Sequence, residues 1–251
     1  MDYKLSQQHA IVTGAARGIG FAIAEHLAAE GVRVTLCDIN FTAAEEAANR
    51  LQSLGYHATA FAADVASEEQ IDALVSHAEE IFGPVDILVN NAGIISKGPV
   101  TEVSLAQWQQ LIATDVTSVF LLTKALVAGM MARKRGRIIN IASIAGQQGG
   151  GLLGNTCYAA AKGAVIAFTK GIAQEAGSAG VTCNVICPGY TETALTSTMT
   201  EAQQQHVLSG IPLARPGKPA DIASAVTFLA SAEAAFISGV TLNVDGGFMR
   251  Y

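Results

Sequence analysis

Apolar and polar residues alternate along the 251-residue chain with two different periods. Short runs rich in β-branched residues, at Ala10–Val12, Val32–Cys37, Ala58–Ala62, Ile87–Val89, Arg137–Ile141, Val181–Ile186 and Thr241–Val244, predict seven strands. Between them, Ile19–Ala29, Thr42–Leu54, Glu68–Phe82, Leu105–Ala132, Tyr158–Ala176 and Ala220–Leu229 carry apolar residues at three- and four-residue spacing, which predicts amphipathic helices. Strand, helix and strand in repetition make βαβ units with right-handed crossovers. The expected class is therefore α/β, a doubly wound seven-stranded parallel sheet with helices on both faces. Nothing resembles a linker, so residues 1–251 are expected to form one domain. Two stretches, Gln147 to Thr156 with its glycines and Tyr190 to Pro212, are expected to be mobile loops with substrate entering between them.

Composition supports a buried parallel sheet and excludes other classes. Half the residues are apolar, 14% are charged and 25 are glycine, which argues against disorder. The net charge of -6 is spread along the chain. Its one basic cluster, Arg133-Lys134-Arg135 with Arg137, is too short for a nucleic-acid footprint and is read as a favourable helix ending. Cys37, Cys157, Cys183 and Cys187 show no CxxC pairing and lie in apolar stretches, as reduced thiols do. The start, Met1 to His9, has no secretory pattern, and Val119–Met131 is broken by Lys124 and too short to span a bilayer. A cytoplasmic protein without a membrane partner is expected.

Directly after the first strand comes Thr13-Gly14-Ala15-Ala16-Arg17-Gly18-Ile19-Gly20, followed by a helix. In such a turn Gly14 permits the reversal, Gly18 lets backbone approach a pyrophosphate, and Gly20 allows close packing, while the helix start offers free N–H groups. The segment reads as the phosphate cradle of a Rossmann-type dinucleotide site, with Gly14, Arg17, Gly18, Ile19 and Gly20 as candidate contacts. Asp38 ends the second strand, where a carboxylate accepts hydrogen bonds from ribose hydroxyls and repels a 2′-phosphate, so NAD is the expected cofactor. Arg17 is the dissenting residue, since it can meet a 2′-phosphate, a pyrophosphate or solvent.

Tyr158 and Lys162 stand four apart at a predicted helix start, on one face. An ammonium beside a phenol favours phenolate, so a lowered Tyr158 pKa is expected. Ser143 follows an apolar strand at the carboxyl edge, where its hydroxyl can meet a substrate oxygen or cap a turn.

Together these residues resemble the short-chain dehydrogenase/reductase family, over almost the whole chain. The matching pieces are Thr13-Gly14-x3-Gly18-x-Gly20, Asp64-Val65, Asn90-Asn91-Ala92-Gly93, Ser143, Tyr158-x3-Lys162, Pro188-Gly189 and Asn243-Val244-Asp245-Gly246-Gly247. The resemblance implies that Asp64 and Val65 hold adenine, that Asn91 and Gly93 lie along the adenosine ribose, and that Pro188, Gly189 and Thr191 border the nicotinamide. Asn90 either contacts the cofactor or ties neighbouring strands. Tyr158 would exchange a proton with the substrate oxygen, Lys162 would bind the nicotinamide ribose and tune Tyr158, and Ser143 would position the reacting oxygen.

Two departures stand out. Asp115 occupies the place where the family usually has an asparagine, which predicts a more alkaline working range. The separation of Ser143 from Tyr158 also exceeds the family's frequent spacing. Within the family, the branch holding bacterial 3-oxoacyl-carrier-protein reductases and NAD-linked sugar and polyol dehydrogenases is the best match. Asp38, Ala128 and Gln174 stand where carrier-protein reductases typically show NADP-compatible and basic residues, so a small polyol, sugar or hydroxy acid is the expected substrate and the acyl reductase is the alternative. A non-catalytic nucleotide sensor is the rival outside enzymology. The resemblance further implies a homotetramer, with Phe248-Met249-Arg250-Tyr251 covering a neighbouring subunit or the cleft, or left in solvent.

Overall fold

The computed structural model describes residues 3–151, 154–194 and 196–250. Seven parallel strands, β1 (His9–Thr13), β2 (Arg33–Asp38), β3 (Ala58–Ala62), β4 (Ile87–Asn90), β5 (Gly136–Ile141), β6 (Val181–Pro188) and β7 (Thr241–Val244), form one sheet in the order β3-β2-β1-β4-β5-β6-β7. From β1 the chain winds outward through β2 and β3, then returns to β4 on the other side and proceeds to β7. The strand order thus reverses between β1 and β4, which opens a crevice beyond their carboxyl ends.

Alternation along the strands sorts the core into two layers. Ala10, Val12, Val34, Leu36, Val89 and Ile139 pack against α1 (Gly18–Ala29), α2 (Phe41–Ser53) and a carboxyl-terminal helix through Ile23, Leu27, Leu51, Ile222 and Val226. Ile11, Cys37, Leu88, Ile138 and Cys183 face the opposite layer, built from α3 (Glu68–Phe82) and the long central helix through Ile71, Leu74, Leu122 and Met130. All seven expected strands are present. Local signals set several helix starts: Asn40, Ser67 and Ser104 each accept a hydrogen bond from the backbone N–H three residues on.

The central helix departs from a single regular run. It comprises α4 (Leu105–Ile112), a π-helical turn (Ala113–Thr117) and α5 (Ser118–Ala132). By length and composition Leu105–Ala132 is apolar enough to cross a membrane. In this fold it instead packs between α3 and α7 (Thr156–Gly177), with Leu121, Leu122, Leu126 and Met130 buried.

Both stretches expected to be loops contain helix. α6 (Ala145–Gln148) closes on Gly149, in the left-handed region at φ 83, and α8 (Glu201–Leu208) starts with a capping box in which Thr200 and Gln203 exchange hydrogen bonds. α9 (Pro219–Ala230), the carboxyl-terminal helix of the first layer, then leads to β7. Polar composition hid α8, because only Val207 of its residues is buried. Of the terminal segments weighed in the sequence, Met1, Asp2 and Tyr251 lie outside the described residues, as do Leu152 and Leu153 in the Gln147 to Thr156 stretch and Leu195 in the Tyr190 to Pro212 stretch.

Candidate active site

The glycine turn between β1 and α1 is shaped for an anion. Gly14 and Gly18 hold φ 61 and 59, where a side chain is strained. A Cβ on Gly20 would lie 2.2 Å from the Gly14 carbonyl oxygen, so only glycine lets the helix approach the strand this closely. Asn91 braces the turn: its side-chain amide donates to the carbonyls of Thr13 (2.9 Å) and Gly14 (3.2 Å). Thr13 completes the brace, its hydroxyl oxygen accepting from the N–H groups of Asn91 and Ala92 at 3.0 Å.

At the end of β2 the Asp38 carboxylate leans onto this turn, accepting from the Ala16 N–H (3.2 Å) and the Asn40 N–H (3.1 Å). Arg17 is exposed and makes no side-chain capping bond to the helix it precedes, and Ile19 is half-buried against the core. Asp64 accepts from the Ala66 N–H (2.9 Å), and Val65 is buried against α3 and β2. A cradle that no side chain can fill, free helix N–H groups and a carboxylate at the ribose position fit a dinucleotide.

The catalytic candidates meet across the crevice. Asn155 caps α7 by accepting from the Tyr158 N–H (3.1 Å), which fixes the first turn of the helix and places Tyr158 and Lys162 on its crevice side. The Ser143 and Tyr158 hydroxyls share a hydrogen bond, and Ser143 Oγ also accepts from the Ala145 N–H (3.1 Å). Lys162 Nζ lies 5.8 Å from the Tyr158 ring centre and donates to the Ile141 carbonyl at the end of β5 (3.2 Å). It also forms an ion pair with Asp115 Oδ2 at 3.0 Å, both side chains being buried. Asp115 projects from the π-helical turn, and its other oxygen accepts from the Ile94 N–H at 2.8 Å. Gly93 roofs this pair: a Cβ there would sit 3.0 Å from Asp115 Oδ2 and 3.2 Å from Lys162 Nζ.

Charge and burial reverse one expectation. Tyr158 is held above the ordinary tyrosine range, because burial outweighs the lowering by Lys162, and Asp115 adds to the rise while the Ser143 bond opposes it. The expected acidification of the phenol by its ammonium neighbour is thus real but overcome. Burial also presses Lys162 downward, yet the Asp115 carboxylate and the phenol together lift it above its usual value, so it is an ammonium at neutral pH.

Sequence motifs and geometry coincide for Ser143, Tyr158, Lys162 and Asp115, which form one cluster, and for Gly14, Gly18, Gly20 and Asp38, which form another. Pro188 ends β6, Gly189 packs within 2.8 Å of Asp245 at its would-be Cβ, and Thr191 is buried and bridges to Gly217 on the same rim. Asn90 donates to Asn140 (2.8 Å), which in turn donates to Thr169 (2.9 Å), tying β4, β5 and α7 beneath the site. Three residues gain a role that the sequence did not assign to them. Thr13 and Asn155 carry readable turn and cap chemistry, whereas Gly154, whose added Cβ would strike Tyr158 Cδ1 at 2.2 Å, is visible only in three dimensions.

Above Ser143 and Tyr158 opens a cavity of about 130 Å³ walled by Ile95, Ile144, Tyr190, Val207, Ile211 and Phe248. Phe248 also packs on Met199, Val207 and Ile211, so the carboxyl-terminal segment closes the substrate cleft. Asp245 holds that segment by accepting from the Gly247 N–H (3.0 Å) and the Met249 N–H (2.8 Å).

Known proteins share this design over its full length. A family model described as enoyl-(acyl carrier protein) reductase matches residues 14–249. The 3-oxoacyl-[acyl-carrier-protein] reductase FabG of Vibrio cholerae is 44% identical over 239 residues, covering 95% of this chain and 96% of that protein. The 3-oxoacyl-[acyl-carrier-protein] reductase of Synechocystis is 42% identical over 252 residues, covering 98% and 99%. Among solved structures, a putative gluconate dehydrogenase from Agrobacterium tumefaciens superposes with a TM-score of 0.94 at 32% identity, covering 99% of this chain and 98% of the other. The chain belongs to the short-chain dehydrogenase/reductase family, as a nicotinamide-dependent oxidoreductase acting between a ketone and a CH–OH group.

Proposed function

We propose that the protein reduces a ketone borne on an apolar chain, of the 3-oxoacyl class, with NADH as the hydride source. The observation that carries this reading is the cavity over Ser143 and Tyr158, whose walls are mainly aliphatic and aromatic, with Gln148 and Thr196 the polar side chains beyond the Ser143, Tyr158 and Tyr190 hydroxyls. A polyol or sugar needs a polar partner for most of its hydroxyls, and leaving them unpaired in such a pocket is costly. The preference for small polyols drawn from the sequence rested on Asp38, Ala128 and Gln174. Asp38 bears on the choice of cofactor, and Ala128 and Gln174, both exposed and uncharged, bear on attraction to an acidic carrier, so none of the three lines the acyl pocket. The similarity to 3-oxoacyl-carrier-protein reductases supports the acyl reading.

The proton chemistry suits a general-acid role for Tyr158 when a ketone is reduced. A phenol held above its usual pKa is protonated at neutral pH and is a general acid ready to donate to a ketone oxygen. Ser143, bonded to the same phenol, holds that oxygen in place, and the Lys162 ammonium at 5.8 Å stabilises the phenolate left behind. The bound nicotinamide supplies the hydride. Asp38 favours NADH through repulsion of a 2′-phosphate. Exposed Leu105, Phe120 and Phe236 fit burial against further copies of the chain, and we expect a cytoplasmic homotetramer.

A second reading, a small sugar acid or polyol as substrate, is favoured by the missing basic residues at Ala128 and Gln174 and by the similarity to the gluconate dehydrogenase structure. Initial rates with 3-oxoacyl thioesters of increasing chain length, and with polyols and sugar acids, using NADH or NAD and NADPH or NADP in parallel, separate the two. Rising kcat/KM with acyl length supports the proposal. Turnover confined to polyols or sugar acids refutes it.

A further inference from the structure

The basic cluster read from the sequence as a helix ending has a second face in the fold. Arg133 and Arg135 flank the turn from α5 to β5, Arg33 opens β2 and Asp86 precedes β4. With Pro84 they line a recess of about 310 Å³ at the amino-terminal edge of the sheet, the end opposite the glycine turn. Asp86 is fully engaged by its own chain. Arg135 grips it through Nε (3.0 Å) and a terminal nitrogen (2.7 Å), and the His9 N–H donates to it at 3.2 Å.

Among the described residues Arg33 and Arg133 have no such partner: their side chains donate to the carbonyls of Gln7 and Val85, and no carboxylate pairs with either. Arg33 Nε is buried without an acceptor among the described residues. Three guanidiniums around one carboxylate leave a local excess of two positive charges on a chain whose net charge is -6. Guanidinium forks match phosphate oxygens two at a time.

We propose that this recess binds a compact anion of the phosphate class between Arg33 and Arg133, with Arg135 held beside it by Asp86. Inorganic phosphate and an organic phosphomonoester present the same oxygens, and comparing them identifies the source. The direct test is calorimetry with pyrophosphate on the NADH-saturated protein at low ionic strength, so that the glycine turn is already occupied. One saturable site per chain is expected, with Tm raised by roughly 5–10 °C at a hundred times Kd. Arg33→Gln/Arg133→Gln should weaken binding at least about tenfold while leaving NADH-dependent turnover unchanged. Parallel titrations with phosphate and phenyl phosphate show which source binds tighter, and saturable binding of either supports the site. Absent saturable binding of all three probes, or equal affinity in the double variant, overturns it. Should that variant fail to fold, phenylglyoxal labelling of the unaltered protein decides: pyrophosphate must shield Arg33 and Arg133 but not exposed Arg50, and equal labelling with and without it refutes the proposal.

Discussion

Replacing Asp115 by asparagine isolates what a single buried charge does to the proton donor. Asp115 Oδ2 lies 3.0 Å from Lys162 Nζ, which lies 5.8 Å from the Tyr158 ring centre, so the carboxylate oxygen is within about 9 Å of the ring. At an effective dielectric of about 20, one charge at that distance is worth roughly 2 kcal/mol, or a little more than one pH unit. The asparagine can keep the Ile94 N–H bond while losing the charge that raises Tyr158. Lys162 loses its counter-ion at the same time, and its own pKa falls because burial is then opposed by Tyr158 and Cys187 without the Asp115 carboxylate. While Lys162 stays an ammonium, the net effect on Tyr158 is downward. In the alcohol-oxidising direction, where the phenolate is the base, the kcat/KM profile of Asp115→Asn should move to lower pH by about one unit. Coincident profiles, or a shift to higher pH, would refute the reasoning, provided the variant retains a cooperative thermal transition.

Three further outcomes follow from the same geometry. Asp38→Ala removes the charge that would oppose a 2′-phosphate, and the ratio of kcat/KM for NADH over NADPH should fall by about tenfold or more; an unchanged ratio removes Asp38 from cofactor selection. Gly154→Ala should lower kcat by about tenfold or more, since its Cβ would meet the Tyr158 ring at 2.2 Å and displace it; wild-type kcat would show that the ring position is not critical. Burial pushes the thiols of Cys37 and Cys183 up to about 12 and that of Cys187 to about 11, from 9.0. The unfolded chain releases these protons near pH 9 and the folded chain retains them. Tm should therefore hold below pH 9 and fall as pH rises toward 11, and a Tm independent of pH between 9 and 11 would contradict this.

Most of the sheet was legible because a parallel strand buried on both faces is predominantly apolar, and β1, β4 and β6 are buried at every position. The glycine turn and the Tyr158–Lys162 spacing were legible for a related reason: each is a local pattern whose geometry depends on few other residues. What sequence could not give is set by long-range burial. The net rise of the Tyr158 pKa needs knowledge that desolvation exceeds the Lys162 charge. The π-helical turn that aims Asp115 at Lys162 has no local signature in Ala113–Thr117, and the apolar cleft wall requires Phe248 to meet Val207 across the fold. Arg33 joins Arg133 and Arg135 only because the strands they adjoin begin at the same edge of the sheet.

On this account the Tyr158 hydroxyl delivers the proton in a site that binds nicotinamide independently of it. Tyr158→Phe tests this with two readings on one sample: ketone reduction followed by NADH absorbance, and NADH affinity by fluorescence titration. Turnover reduced by about a thousandfold or more with NADH affinity within a few-fold of wild type is the expected pair of results. Ketone reduction at the wild-type rate would contradict it.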